Sequence, residues 1–151
     1  IDNVPSCLTY YNDRLWVATN GDDRVIVGYK TRGKRLFKVN KIIINSIEGV
    51  SETEFKKMNG IEFYKGDLYI SVSGGRLSPV KHIIRAGKAG PESYRKLSKV
   101  CVPVMSEEIM IENGLLYSVF ESGANRYNGK YGLFRAEIVT ERVLAFDLNL
   151  W

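Results

Sequence analysis

The side chains best suited to chemistry in this sequence are acidic. Glu107 and Glu108 are adjacent, and Glu121 follows a short way downstream. Carboxylates brought together can divide acid and base roles when their surroundings separate their pKa values. They can also hold a cation or a polar ligand. Other chemistries are poorly supplied. The one histidine, His82, lies in the strand-like run 80–86, where a structural role is the simpler reading. Two cysteines, Cys7 and Cys101, make neither a disulfide framework nor a CxxC pair. Both sit in apolar strand contexts, where cysteine behaves as a small buried hydrophobe. Gly74 and Gly75 lack the surrounding pattern of a phosphate-binding loop. No metal ligand set and no cofactor motif is present in the sequence.

The composition frames what those acids belong to. At 151 residues, 44% hydrophobic and 26% charged, the chain can bury one sizeable core. Fourteen glycines predict many tight turns. The formal charge is +5, but the basic residues are dispersed, with only a partial cluster over 30–41. Solvated strand edges and loops explain them better than a nucleic-acid footprint, and edge lysines also discourage edge-to-edge pairing. No apolar run is long enough for a membrane-spanning helix. The chain opens on Ile1 with no secretory signal, and a leader removed by processing is compatible with that start.

The elements that must position the acids are repeated. Residues 7–18, 60–71 and 108–119 align without a gap. Leu8, Ile61 and Ile109 match, as do Tyr10, Phe63 and Ile111. Leu15, Leu68 and Leu116 match, followed by the aromatics Trp16, Tyr69 and Tyr117. Each segment reads as a hairpin, turning at Asn12-Asp13, Lys65-Gly66 or Asn113-Gly114. Each second strand is nearly continuous in apolar residues, which requires cover on both faces. Third strands are expected at 24–29, 82–86 and 142–148, and fourth strands at 39–44 and 100–105. Residues 46–57 read as a linker with a helical turn, 87–98 as a connection, and 123–140 as a long loop carrying Tyr127 and Tyr131.

The repeat interval is close to the roughly 40–50 residues of a propeller blade. An all-β β-propeller follows, with units at about 5–45, 58–105 and 106–151. The alternative is a β-sandwich or barrel with chance-similar hairpins. Closed propellers have about four to eight blades, so these units are expected to form part of a ring. Its partners would be the remaining blades of a longer parent protein or a second copy of the chain. Cys7 would then open an innermost strand and Cys101 lie in an outermost strand of the next unit, too far apart to pair.

The stretch 104–124, with Arg126-Tyr127 and the closing 141–147, resembles the C-terminal blades of uncharacterised bacterial propeller proteins. Asn59-Gly60-Ile61-Glu62-Phe63 and the run 4–9 resemble the starts of innermost strands in that group. Members often look secreted, so the resemblance implies an extracytoplasmic protein. It implies no catalytic residue. One departure stands out: Glu108 occupies the place where Gly60 stands in the second unit, and glycine is expected there.

Propeller connectivity brings the loop entering each innermost strand and the loop leaving each second strand to one mouth of the channel. That places Asn59, Arg76, Glu107, Glu108, Glu121, Ser122 and Arg126 together as a candidate ligand site. On the plainer reading they line a wet channel. The expected function is a binding or interaction propeller. The alternative is a propeller hydrolase or lyase acting on a sugar or lactone, with Glu107, Glu108 or Glu121 as acid and base.

Overall fold

The computed structural model describes residues 5–19, 24–51, 57–74, 81–91, 93–124, 140 and 142–151. Eleven strands among them form three antiparallel sheets. The first sheet runs β1 (Pro5–Tyr11), β2 (Arg14–Thr19), β3 (Val25–Arg32) and β4 (Arg35–Ile43), side by side in chain order. The second repeats that order with β5 (Met58–Tyr64), β6 (Asp67–Ser73), β7 (Lys81–Lys88) and β8 (Tyr94–Cys101). The third pairs β9 (Ser106–Glu112), β10 (Leu115–Phe120) and β11 (Leu144–Asp147). The only helix among the described residues is two short 3-10 turns, Ile44–Ser46 and Glu121–Gly123.

All three expected hairpins form in the expected register. Cys7 pairs with Ala18, Gly60 with Ser71, and Leu115 with Glu112. Both residues of each turn have positive φ: 51° and 59° at Asn12-Asp13, 51° and 89° at Lys65-Gly66, 52° and 80° at Asn113-Gly114. That backbone twists with the strands it joins, which is why two-residue hairpins use it.

The outer strands differ from their expected bounds. β3 and β4 meet in a tight turn at Gly33, so β4 begins at Arg35 rather than 39. β7 runs to Lys88 and β8 begins at Tyr94, so most of the expected 87–98 connection is strand. β8 ends at Cys101 and β11 covers only 144–147. The cause is the outer position: β4 and β8 each have one partner, β4 is exposed along its first five residues, and β8 alternates between exposed and partly buried residues. A half-exposed strand carries less apolar signal than an inner one. The expected helical turn of the 46–57 linker and most of the 123–140 loop lie outside the described residues.

The sheets stack face to face. Trp16, Ala18, Ile26 and Ile42 from the first sheet pack against Ile61, Phe63, Leu68, Ile70 and Ile84 of the second. Tyr69 and Ile83, on the opposite face of the second sheet, pack against Ile109 and Leu116 of the third. Two of the matched aromatics, Trp16 and Tyr69, sit at these seams, while Tyr117 lies on the open face of the third sheet. Trp16 lies on Phe63 with centroids 4.9 Å apart, and Tyr69 meets Trp151 edge-on at 5.7 Å. The continuous apolar inner strands are thus buried on both faces in the second sheet, as their composition requires. Strands β1, β5 and β9 neighbour one another across the seams without forming a ladder. The three sheets do not close on themselves.

Both cysteines are free. Cys7 is buried as expected, whereas Cys101 is exposed, because β8 is an outer strand with a solvated face.

Candidate functional site

The ends of four inner strands are tied together at one place. The Ser73 amide, closing β6, donates to the Lys57 carbonyl just before β5 (3.2 Å). The Met105 amide, just before β9, donates to the Ser73 hydroxyl (3.0 Å), and the Glu121 amide, just after β10, donates to the Met105 carbonyl (3.0 Å). Met105 is held at φ 61° by this pair of bonds. Left-handed backbone is costly for a side chain of that size and persists only where its surroundings fix it. Entry and exit loops therefore share one end of the stack.

Asn59 sits on β5 at this end, 8% exposed. Its Nδ2 donates to the Ser106 carbonyl at 2.8 Å and to Glu107 Oε1 at 3.3 Å. Both partners are acceptors, which fixes the nitrogen toward them and turns Oδ1 the other way. Oδ1 is buried, and no described residue donates to it. A buried carbonyl oxygen without a donor is unusual and costs free energy.

Glu107 is half-buried beside it. Burial pushes its carboxyl above its ordinary range, the negative charge of Glu121 adds to the rise, Lys57 opposes it, and Glu108 adds a smaller increment. Glu107 thus retains its proton more readily than a free glutamate.

Glu108 does something different. Its residue surface is largely open, but its carboxylate lies against the seam. Oε1 accepts from its own neighbour Ile109 N at 3.1 Å, and the carboxylate also accepts from the Ile61 amide of β5. Burial raises its carboxyl above the ordinary range, those two amides oppose the rise without cancelling it, and the Glu62 charge adds to it. Glu62 repeats the device one seam earlier: its Oε1 accepts from Phe63 N at 2.9 Å and from the Thr9 hydroxyl of β1 at 2.8 Å. β5 and β9 are sheet edges, and these carboxylates satisfy amides that have no ladder partner. Glu62 was not among the expected site residues. Its signal was a charge inside the otherwise apolar strand Ile61-Glu62-Phe63.

The Gly60 and Glu108 mismatch has a steric explanation. A Cβ on Gly60 would stand 2.8 Å from the Glu107 carbonyl, 2.8 Å from Ile109 N and 2.9 Å from Glu108 Oε1. Glycine is needed where β9 crowds β5. No described sheet follows the third, so no further strand crowds the backbone at Glu108, and its long side chain can reach back to the amides at the seam.

Of the remaining expected residues, Ser122 is fully buried and its hydroxyl accepts from the Thr140 amide at 3.2 Å, so that oxygen serves the chain itself. Arg76 and Arg126 lie outside the described residues. Cys7 lies near the same acids. Burial, less a hydrogen-bond contribution from Ser6, with added repulsion from Glu108 and Glu107, pushes its thiol up to about 12. Such a thiol is not a nucleophile at neutral pH. His82 is buried in β7 opposite Cys101. Among the described residues no group of three His, Cys, Asp or Glu side chains is placed to hold a metal ion.

No protein-family model and no curated protein matches this sequence.

Proposed function

We propose that the chain is a set of β-propeller blades whose channel mouth binds a small polar ligand rich in hydrogen-bond donors, an amine or a polyol. The observation that carries this reading is the buried, donorless Oδ1 of Asn59 beside the half-buried carboxyl of Glu107. An unsatisfied acceptor next to an acid with a raised pKa asks for a donor, and an ammonium group or sugar hydroxyl supplies one. Glu121 contributes negative charge to the same place. In this reading further sheets of the same repeat complete the ring, from the parent protein or a second copy. Apolar side chains left open on the two outer sheets support that: Leu8 and Tyr10 on one, Met110 and Val119 on the other. An extracytoplasmic location is part of this reading and rests on the resemblance to secreted propellers.

A second reading has one observation in its favour, the raised carboxyl of Glu107 close to Glu121. A hydrolase or lyase acting on a sugar or lactone would use Glu107 as acid and Glu121 as base.

Ethanolamine, which carries both an ammonium and a hydroxyl, is a direct probe. Titrating it into the chain is expected to shift the Asn59 side-chain amide signals saturably, and Glu107→Gln with Glu121→Gln is expected to abolish the shift. An unsaturable response, or one undiminished in the double variant, would overturn the reading.

A further inference from the structure

A second polar cleft lies between the first two sheets, at the end opposite Asn59 and Glu107. It opens between the turns at Asn12 and Gly66 and holds about 140 Å3. Its walls are aromatic: Tyr11 stacks on Phe63 at 5.1 Å and 15°, and Trp16 tilts against the same ring. Trp16 is itself pinned by its Nε1, which donates to the Tyr11 carbonyl at 3.2 Å.

Among the described residues, the charged groups lining this cleft are cationic. Arg14 and Lys88 border it, together with the Asn40 amide. The Arg14 Nε is buried and makes no hydrogen bond. No ion pair joins Arg14 or Lys88 to another described residue. A guanidinium N–H removed from water and given no acceptor is costly to keep, so the arrangement calls for an anion.

We propose that this cleft binds a carboxylate carried on a six-membered ring. A cavity of about 150 Å3 accommodates benzene, so the space suits one such ring and little more. The Arg14 Nε and its neighbouring Nη present the two-pronged edge that matches a carboxylate, with Lys88 at the opening as a second positive charge. The half-buried Tyr11 offers apolar surface to the ring, backed by Phe63 and Trp16 packed behind it. An aromatic acid and a sugar acid share this chemistry.

The test is a titration of the chain with sodium benzoate and, separately, sodium glucuronate, with sodium chloride as the ionic control. The Arg14 Nε–H signal is read by NMR. A saturable shift that chloride does not reproduce is expected with at least one probe. Benzoate alone assigns an aromatic acid, glucuronate alone a sugar acid, and both together the shared group. Arg14→Met keeps the stem and removes the fork, and is expected to weaken binding about tenfold or more. Lys88→Met, at an exposed position, is expected to weaken it about threefold. Two results would overturn the proposal. One is no saturable shift with either probe, which would mean that water satisfies the Nε. The other is binding that survives Arg14→Met undiminished, which would place it elsewhere.

Discussion

Gly60→Ala tests how the seam between β5 and β9 is built. An added Cβ would sit 2.8 Å from the Glu107 carbonyl oxygen and 2.8 Å from Ile109 N. Both are backbone atoms of β9, so relief requires the strand to move rather than a side chain to rotate. Overpacking of this kind costs about 1–3 kcal/mol. Replacing glycine by alanine in extended backbone recovers about 0.4–1 kcal/mol by restricting the unfolded chain. The net expectation is a loss of about 1–2 kcal/mol, a fall in Tm of roughly 3–8 °C for a chain of this size. Gly87→Ala is the control. Its Cβ would also meet an atom at 2.8 Å, but that atom is the Leu97 Cδ1, on a side chain 49% exposed and free to swing. Its stability is expected to change by less than about 0.5 kcal/mol. Urea unfolding of the three proteins decides the matter. If Gly60→Ala is as stable as the parent, or indistinguishable from Gly87→Ala, the close approach of β9 to β5 is wrong.

Three further outcomes follow from the same contacts. Folding raises the Glu107 carboxyl above its ordinary 4.5, so the native state favours the protonated form. The associated stability is fully present below 4.5 and is lost as pH rises through the raised value. Glu107→Gln is therefore expected to be more stable than the parent at neutral pH and equal to it below about pH 4 in paired denaturation curves; a destabilised variant at pH 7 contradicts this. A thiol reagent at pH 8 is expected to modify Cys101 quickly and Cys7 only after unfolding, because the Cys7 thiol is buried and pushed up to about 12; two fast thiols in the native chain contradict it. Sedimentation is expected to show self-association that Tyr10→Ser with Val119→Ser reduces, since those side chains are 68% and 43% exposed on the two open faces; a parent that stays monomeric at every concentration contradicts it.

The inner strands were legible because their signals are local and repeated. Matched apolar residues and paired turn residues place β1, β2, β5, β6, β9 and β10 to within a residue or two. Outer strands were harder. Arg35-Leu36-Phe37-Lys38 falls outside the expected strands, yet forms the start of β4 because β3 offers it a ladder, and a ladder partner is not visible in a segment's own composition. At the site, connectivity suggested one channel mouth, and the structure sets Asn59 against Glu107 with the charge of Glu121 near it. Connectivity did not separate their roles. Glu108 bonds edge amides while Glu107 stays half-buried near Glu121, and that difference comes from which side of β9 each faces across the seam. Ser122 shows the converse: a polar residue beside a site, turned inward to hold Thr140.

The central claim is that Glu107 and Asn59 form a receptor for a donor-rich ligand, and the carboxyl carbon of Glu107 reports on it most directly. Its titration, followed by NMR in the absence of ligand, is expected to lie above the ordinary value and to fall in Glu121→Gln, because part of the rise comes from that charge. Adding ethanolamine is expected to lower it, since a bound ammonium favours the carboxylate. A Glu107 that titrates at 4.5 and does not respond to ethanolamine would contradict the account.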